Sequence, residues 1–223
     1  MLAKLVTEFV GTFIFLTAIA LSGNAGSLAP LLVGIALTSM VYMGGHVSGA
    51  HYNPAVSFAL FLRRAIGPST MGLYWLTQIV AGILAFGFAF LVGARIPGVH
   101  PGPGVYWYSA LAAEIAFTAA LALVVLNVAA TRETAGNSYY GIAIGFAVAA
   151  GAFAVGPVSG AAFNPAVAIG ATVVSAVSSS GTWSDLWIYI AGPVLGAALG
   201  AAIHWLQARP GPVPPEVSER EPG

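Results

Sequence analysis

Two nine-residue stretches hold most of the polar groups that this chain could set to work together. Ser48-Gly49-Ala50-His51-Tyr52-Asn53-Pro54-Ala55-Val56 recurs 111 residues later as Ser159-Gly160-Ala161-Ala162-Phe163-Asn164-Pro165-Ala166-Val167, with seven of nine positions identical. Asparagine is among the best residues for capping a helix N-terminus, and proline suits the first helical position because its missing N–H was unpaired anyway. Asn53-Pro54-Ala55 and Asn164-Pro165-Ala166 therefore each predict a helix start with a primary amide at its tip. Such an amide donates and accepts hydrogen bonds but neither attacks a substrate nor shuttles protons.

The other reactive side chains are sparse and scattered. There is no cysteine, which excludes disulfides, thiolate metal sites and a cysteine nucleophile. His46 and His51 flank the loop that leads to the first Asn-Pro-Ala, where a hydrogen-bonded loop histidine is a plainer reading than a pH gate. His100 and His204 stand too far apart in sequence to suggest a metal site. Seven basic and seven acidic residues give zero net charge, which excludes a polybasic nucleic-acid binder. The residues suggest no catalytic constellation, metal or cofactor, so the chain reads as a non-enzyme.

What must position the motifs is a membrane. Charged residues make up 6% of the chain and hydrophobic ones 58%, where a soluble domain carries about 25% charged residues. No Asp, Glu, Lys or Arg lies between Glu8 and Arg63, Arg64 and Arg95, Glu114 and Arg132, Glu133 and Asp185, or Asp185 and Arg209. A hydrocarbon core about 30 Å thick takes about 20 helical residues to cross. Dividing the gaps at their Gly, Pro, Asn and Ser clusters predicts six spans, near 4–22, 28–46, 70–93, 109–130, 139–156 and 185–207. Two apolar stretches remain, 51–62 and 163–175, each too short to cross and each containing an Asn-Pro-Ala. Six spans put Lys4, Arg63, Arg64, Arg132, Arg209 and Arg220 on one side and only Arg95 on the other, so the positive-inside rule places both termini in the cytoplasm. Residues 208–223, Pro-rich and polar, read as a disordered cytoplasmic tail. Trp75, Trp107, Trp183, Trp187 and Trp205 read as interfacial belt residues, and Gly192, Gly196 and Gly200 as a stripe for close helix contact.

The repeat sets the topology. Each copy, about 4–93 and about 109–207, holds three spans and one short segment. Three is odd, so the second copy enters from the opposite face and the two form an inverted repeat, an architecture of membrane transport proteins. The short helices then enter from opposite faces and their capped tips meet at the midplane. Non-helical backbone at that depth is tolerated only inside protein or beside a watery cavity. The Gly-, Ser- and Ala-rich residues 45–52 and 157–163 are such backbone; their carbonyls make a ladder of acceptors beside the donors of Asn53 and Asn164. The pattern is that of a conduit for small polar molecules.

With its paired Asn-Pro-Ala boxes, each preceded by Ser-Gly-Ala, the chain resembles the aquaporin, or major intrinsic protein, family over residues 4–207. Glu8-Phe9 through Thr12, Glu114, Gly156-Pro157-Val158-Ser159-Gly160 and Gly192-Pro193 with Gly196 support the likeness. The resemblance implies an all-α membrane fold, a right-handed bundle of six transmembrane helices and two re-entrant half-helices forming one channel domain over 1–207. It also implies a homotetramer in the cell membrane, with one pore per protomer passing water or small neutral solutes. Asn53 and Asn164 match the family's central pore asparagines, and Glu8 and Glu114 its buried glutamates, which brace the re-entrant loops. From its position alone, an interfacial carboxylate near a helix end is the lesser alternative for Glu8.

The chain departs from the family pattern after the second box. Most members have Arg there, forming the outer constriction; this chain has Val167, as does a subset of bacterial members associated with arsenic handling. Gap-free counting puts the remaining constriction positions at Val33, Ala152 and Ala161. Four small aliphatics in place of a guanidinium and an aromatic ring predict a wider filter that passes glycerol, urea, ammonia or neutral metalloid hydroxides such as arsenous acid. The contrary reading has Val167 packed aside and Arg95 or His100 filling the gap. A strict water channel is the main alternative, favoured by Ala168 where glycerol-conducting members usually have Asp. An ion-coupled transporter would need titratable groups at the midplane, where only Glu8 and Glu114 qualify.

Overall fold

The computed structural model describes residues 1–178, 181 and 183–207, so the expected tail at 208–223 lies outside the described residues. Eight α-helices follow in order: α1 (Leu2–Leu21), α2 (Ala29–Ser48), α3 (Pro54–Leu62), α4 (Pro68–Leu91), α5 (Trp107–Ala129), α6 (Tyr140–Ser159), α7 (Pro165–Ser178) and α8 (Ile188–Gln207). The six longer helices have 20 to 24 residues. At 1.5 Å per residue they reach about 30 Å or more, enough to span a bilayer. The chain is thus a multi-pass membrane protein. A 3₁₀ segment, Ser22–Leu28, makes the α1–α2 corner, with Gly26 at φ 55° turning the chain.

Each predicted span has its helix, but α2 and α6 run two and three residues past the expected ends at 46 and 156, so residues 45–48 and 157–159, expected as non-helical backbone, are helical. Both end instead at a left-handed glycine inside the repeat, Gly49 at φ 88° and Gly160 at φ 82°. The signal to stop is the backbone twist that follows, not the small or imino residues before it. Helices α3 and α7, nine and 14 residues long, are the short segments. Laid end to end they give about 35 Å of helix, close to one membrane thickness.

Packing shows the two-fold plan. Within the repeats α1 packs on α4 and α5 on α8; between them α2 packs on α6. The short helices cross over: α3 lies against α8 of the second repeat, and α7 against α4 of the first. Around this core the outer helix faces leave aliphatics exposed, among them Val6, Val10, Ile14, Leu76, Leu84 and Leu199, as a lipid-facing surface requires. Close approach of α8 to α5 rests on the expected glycine stripe. A methyl at Gly196 would sit 2.5 Å from the Ile115 carbonyl oxygen, and one at Gly200 2.7 Å from that of Ala119. Gly196→Leu should therefore lower the thermal midpoint of the detergent-solubilised protein by the equivalent of about 1–3 kcal/mol. Gly72→Ala on α4, where a new Cβ meets nothing within 4 Å, should leave that midpoint unchanged or slightly raised.

Candidate functional site

The two Asn-Pro-Ala boxes meet. Asn53 Oδ1 accepts from the Ala55 amide at 2.8 Å, capping α3, while its Nδ2 donates to the Phe163 carbonyl at 2.9 Å. Asn164 does the same in reverse: Oδ1 accepts from Ala166 at 2.9 Å and Nδ2 donates to the Tyr52 carbonyl at 3.0 Å. Each amide thus closes its own helix and fastens the loop of the other repeat. One Nδ2 hydrogen remains on each side chain, and both asparagines line the same cavity.

The loops leading to these tips are twisted alike. Ala50 and Tyr52 have φ of 51° and 49°, and Ala161 and Phe163 have 54° and 51°. Four non-glycine residues in the left-handed region carry strain of about 1–3 kcal/mol each. The alternation turns backbone N–H groups toward one side, where a buried carboxylate gathers them. Glu8 Oε1 accepts from Ser48 Oγ at 2.7 Å and from the His51 amide at 2.9 Å; its Oε2 accepts from the Tyr52 amide and Gln78 Nε2, both at 2.8 Å. Glu114 Oε1 accepts from Ser159 Oγ at 2.7 Å and the Ala162 amide at 3.0 Å, and Oε2 from the Phe163 amide at 2.7 Å. Both glutamates are fully buried, so neither is an interfacial carboxylate. Charge-assisted bonds to several donors offset the desolvation such a group would otherwise suffer.

Beside the tips runs a cavity of about 200 Å³. It extends from Ser22, Ala29 and Pro30 at the α1–α2 corner, past Asn53 and Asn164, to Ala50, His51, Val125 and Ile144. Its walls are mostly aliphatic, and no residue lining it carries a fixed charge. Val33, Ala152 and Ala161 line it, with Gly156 and Gly160 beside them. Val167 does not: it is buried in the apolar core on the first turn of α7. Neither Arg95 nor His100 is among the lining residues. Arg95 is exposed, and His100 Nδ1 is 2.8 Å from Asp185 Oδ2.

Several contributors were missed in the sequence. Gln78 bonds both Glu8 and Ser57 Oγ, the latter at 3.1 Å, and Ser57 in turn contacts His51 Nδ1 at 2.9 Å. A lone amide in an apolar span was the available signal, since intramembrane polar residues are costly. Trp75 is not a belt residue: its indole N–H donates to the Pro54 carbonyl at 2.8 Å, steadying the first turn of α3. Trp107, Trp183, Trp187 and Trp205 are exposed, as a belt requires. Tyr52 is fully buried where Cβ atoms at Gly11 or Gly44 would clash with its ring, and its hydroxyl donates to the Met40 carbonyl. No group of three or more His, Cys, Asp or Glu that could hold a metal occurs among the described residues.

Two half-membrane helices joined tip to tip beside an uncharged cavity, inside a six-span inverted repeat, define a channel for water or small solutes. The chain belongs to the major intrinsic protein family, whose model matches residues 1–204. It is 32% identical over 228 residues to the probable aquaporin TIP3-2 of Oryza sativa, covering 96% of this chain and 84% of that one. It is 36% identical over 218 residues to aquaporin TIP1-1 of Arabidopsis thaliana, covering 88% and 83%. In fold it is similar to the aquaglyceroporin from Plasmodium falciparum, with a TM-score of 0.77 at 20% identity over 91% of this chain and 95% of that one.

The carboxylate bonding generates a graded prediction. In Glu8→Gln either orientation of the new amide turns N–H groups toward two donors; in Glu114→Gln the amide can face the Phe163 N–H alone. Each orphaned buried donor costs about 1–3 kcal/mol, so both variants should melt earlier in detergent, Glu8→Gln the more so. Midpoints equal to wild type in both would mean that the loops hold their twist without the carboxylates.

Proposed function

We propose that this protein is a passive channel for small uncharged solutes as well as water, with a filter wider than a water-only pore. The observation that supports the reading is the cavity wall at three of the four expected constriction positions: Val33, Ala152 and Ala161, small and aliphatic, with no guanidinium among the lining residues. Asn53 and Asn164 would be the central donors that orient a passing hydroxyl or amide oxygen, and Glu8 and Glu114 the braces of the loops that present them. A solute meeting an aliphatic wall and a strip of amides and carbonyls keeps hydrogen bonds on one side only, which suits water, glycerol, urea and neutral metalloid hydroxides such as arsenous acid. Names among the similar proteins, aquaporin and aquaglyceroporin, fit both water and glycerol. We place the channel as a homotetramer in the cell membrane with both termini cytoplasmic, in keeping with the distribution of Lys and Arg and with the exposed aliphatic helix faces.

Refusing cations does not need the missing arginine. The N-termini of α3 and α7 meet at the asparagines, and each carries about half a positive charge. A monovalent cation about 4 Å from both, at an effective dielectric of about 20, is opposed by about 4 kcal/mol. That is about three decades in population before any loss of hydration.

The strict water channel is the second reading, favoured by Ala168 at the position after Val167. Two substitutions separate the readings. Val33→Phe narrows the aliphatic wall from α2, and Ala152→Phe narrows it from α6, neither adding charge. In stopped-flow assays of proteoliposomes, each should cut glycerol and urea flux by about tenfold or more, the discrimination typical of a group-sized change in a fitted apolar site, while water flux changes far less. Glycerol, urea and arsenous acid flux no faster than through empty vesicles, with water flux intact, would replace this reading by the water-only pore. Loaded vesicles whose solute flux follows an imposed proton gradient would remove the passive channel altogether.

A further inference from the structure

At the face that carries the N-terminus, α3 ends in a clamp outside the solute path. Its C-cap residue Arg63 donates from Nε to Nδ1 of His204, 2.9 Å away in the last turn of α8. His204 is only 5% exposed, and its Nε2 is 2.8 Å from Oγ1 of Thr131, just beyond α5. The single hydroxyl hydrogen of Thr131 goes to the Leu126 carbonyl at 2.9 Å. These bonds fix the protonation state of the ring. An arginine Nε always donates and never accepts, so His204 Nδ1 presents a lone pair. Thr131 has committed its hydrogen, so Nε2 supplies the one between them. His204 is therefore neutral, in the Nε2–H tautomer, with both nitrogens occupied.

A second proton can enter only at Nδ1, where it sets N–H against N–H and cation against cation. Among the described residues, nothing packed on α8 offsets that. The end of α3 offers Arg63 and Arg64, and the segment after α5 offers Arg132 and an exposed Glu133. Helix α7 has no titratable residue, and Glu114 on α5 and Tyr189 on α8 lie more than three turns away toward the opposite face. Helix α3, nine residues and about 14 Å long, has no joint between Arg63 at one end and Asn53 at the other.

We propose that Arg63, His204 and Thr131 form a proton-sensitive latch on the half-helix α3, with His204 acting as a positioning residue for Asn53. The latch is complete while His204 is neutral, and is released when acid on the face of the termini puts a second proton on its ring. Release frees the outer end of α3 from α8 and α5 and lets the capped tip lose its register with the Phe163 carbonyl. The inference rests on the channel class alone and is indifferent to which solute passes.

The test is osmotic water permeability of proteoliposomes, with equal pH inside and outside, stepped from 7.5 to 5.5. Wild type should lose permeability reversibly by at least about threefold, as expected when one proton shifts most of a two-state population. His204→Gln can accept from Arg63 through its oxygen and donate to Thr131 through its nitrogen without binding a proton. It should keep wild-type permeability at pH 7.5 and hold it at 5.5. A flat wild-type profile, or the same acid loss in His204→Gln with His46, His51 and His100 untouched, overturns the latch. Hydrogen exchange in the wild-type chain needs neither the variant nor transport: after correction for intrinsic rate, residues 54–64 should lose protection at pH 5.5, and unchanged protection also overturns the proposal. Permeability no greater than that of empty vesicles at pH 7.5 would count instead against the channel itself, leaving the exchange experiment to decide the latch.

Discussion

Everything at the centre of this molecule depends on keeping irregular backbone paired where no bulk water can pair it. A helix satisfies its own N–H and C=O groups; a loop folded into a membrane cannot. Here the loops are also twisted, with Ala50, Tyr52, Ala161 and Phe163 held at positive φ. The twist is what splits the peptide groups into two sets. Amides of residues 51, 52, 162 and 163 turn to Glu8 and Glu114, and the carbonyls of Tyr52 and Phe163 turn to the asparagines. Without an acceptor on the first side the arrangement would leave orphaned donors and uncompensated strain. The two glutamates are thus charges used as mortar, and their full burial is tolerable because donors surround them.

The two repeats solve the same problem with unequal means. Glu8 collects four donors and Glu114 three. The difference is Gln78, which has Pro193 as its counterpart one turn beyond Tyr189, as Gln78 lies one turn beyond Tyr74. His51 and Ser57 have Ala162 and Ala168 as theirs. Tyr74 donates to the Ser48 carbonyl, whereas the Tyr189 hydroxyl has no partner among the described residues. One half of the channel therefore carries a polar scaffold behind its loop, and the other relies on apolar packing.

Much of this was legible in the amino-acid sequence because the signals were local and doubled. Asn-Pro at a helix start is a matter of one side chain and one ring, and seven identities in nine at a fixed offset made the inverted plan hard to miss. Long charge-free gaps placed the six spans to within a few residues. What the sequence hid was of two kinds. Helix ends at Ser48 and Ser159 depended on φ at the next residue rather than on the residues before it. Contacts of Trp75 with Pro54 and of Arg63 with His204, 141 residues apart, depend on which helix faces meet across the bundle, and no periodicity reports that.

The crossed asparagine bonds join residues 110 and 112 apart in the chain. Each loop borrows a donor from a segment that emerges from the ribosome more than a hundred residues away, so the first half cannot finish its own centre while the second is still being made. An early intermediate with α1 to α4 inserted would hold Tyr52 with its carbonyl bare and α3 seated against no α8. Biogenesis of this protein must therefore shelter an unfinished re-entrant hairpin, under lipid or under a membrane chaperone, until the last helix arrives, and truncations that spare every residue of the first repeat should still be read by quality control as unfolded.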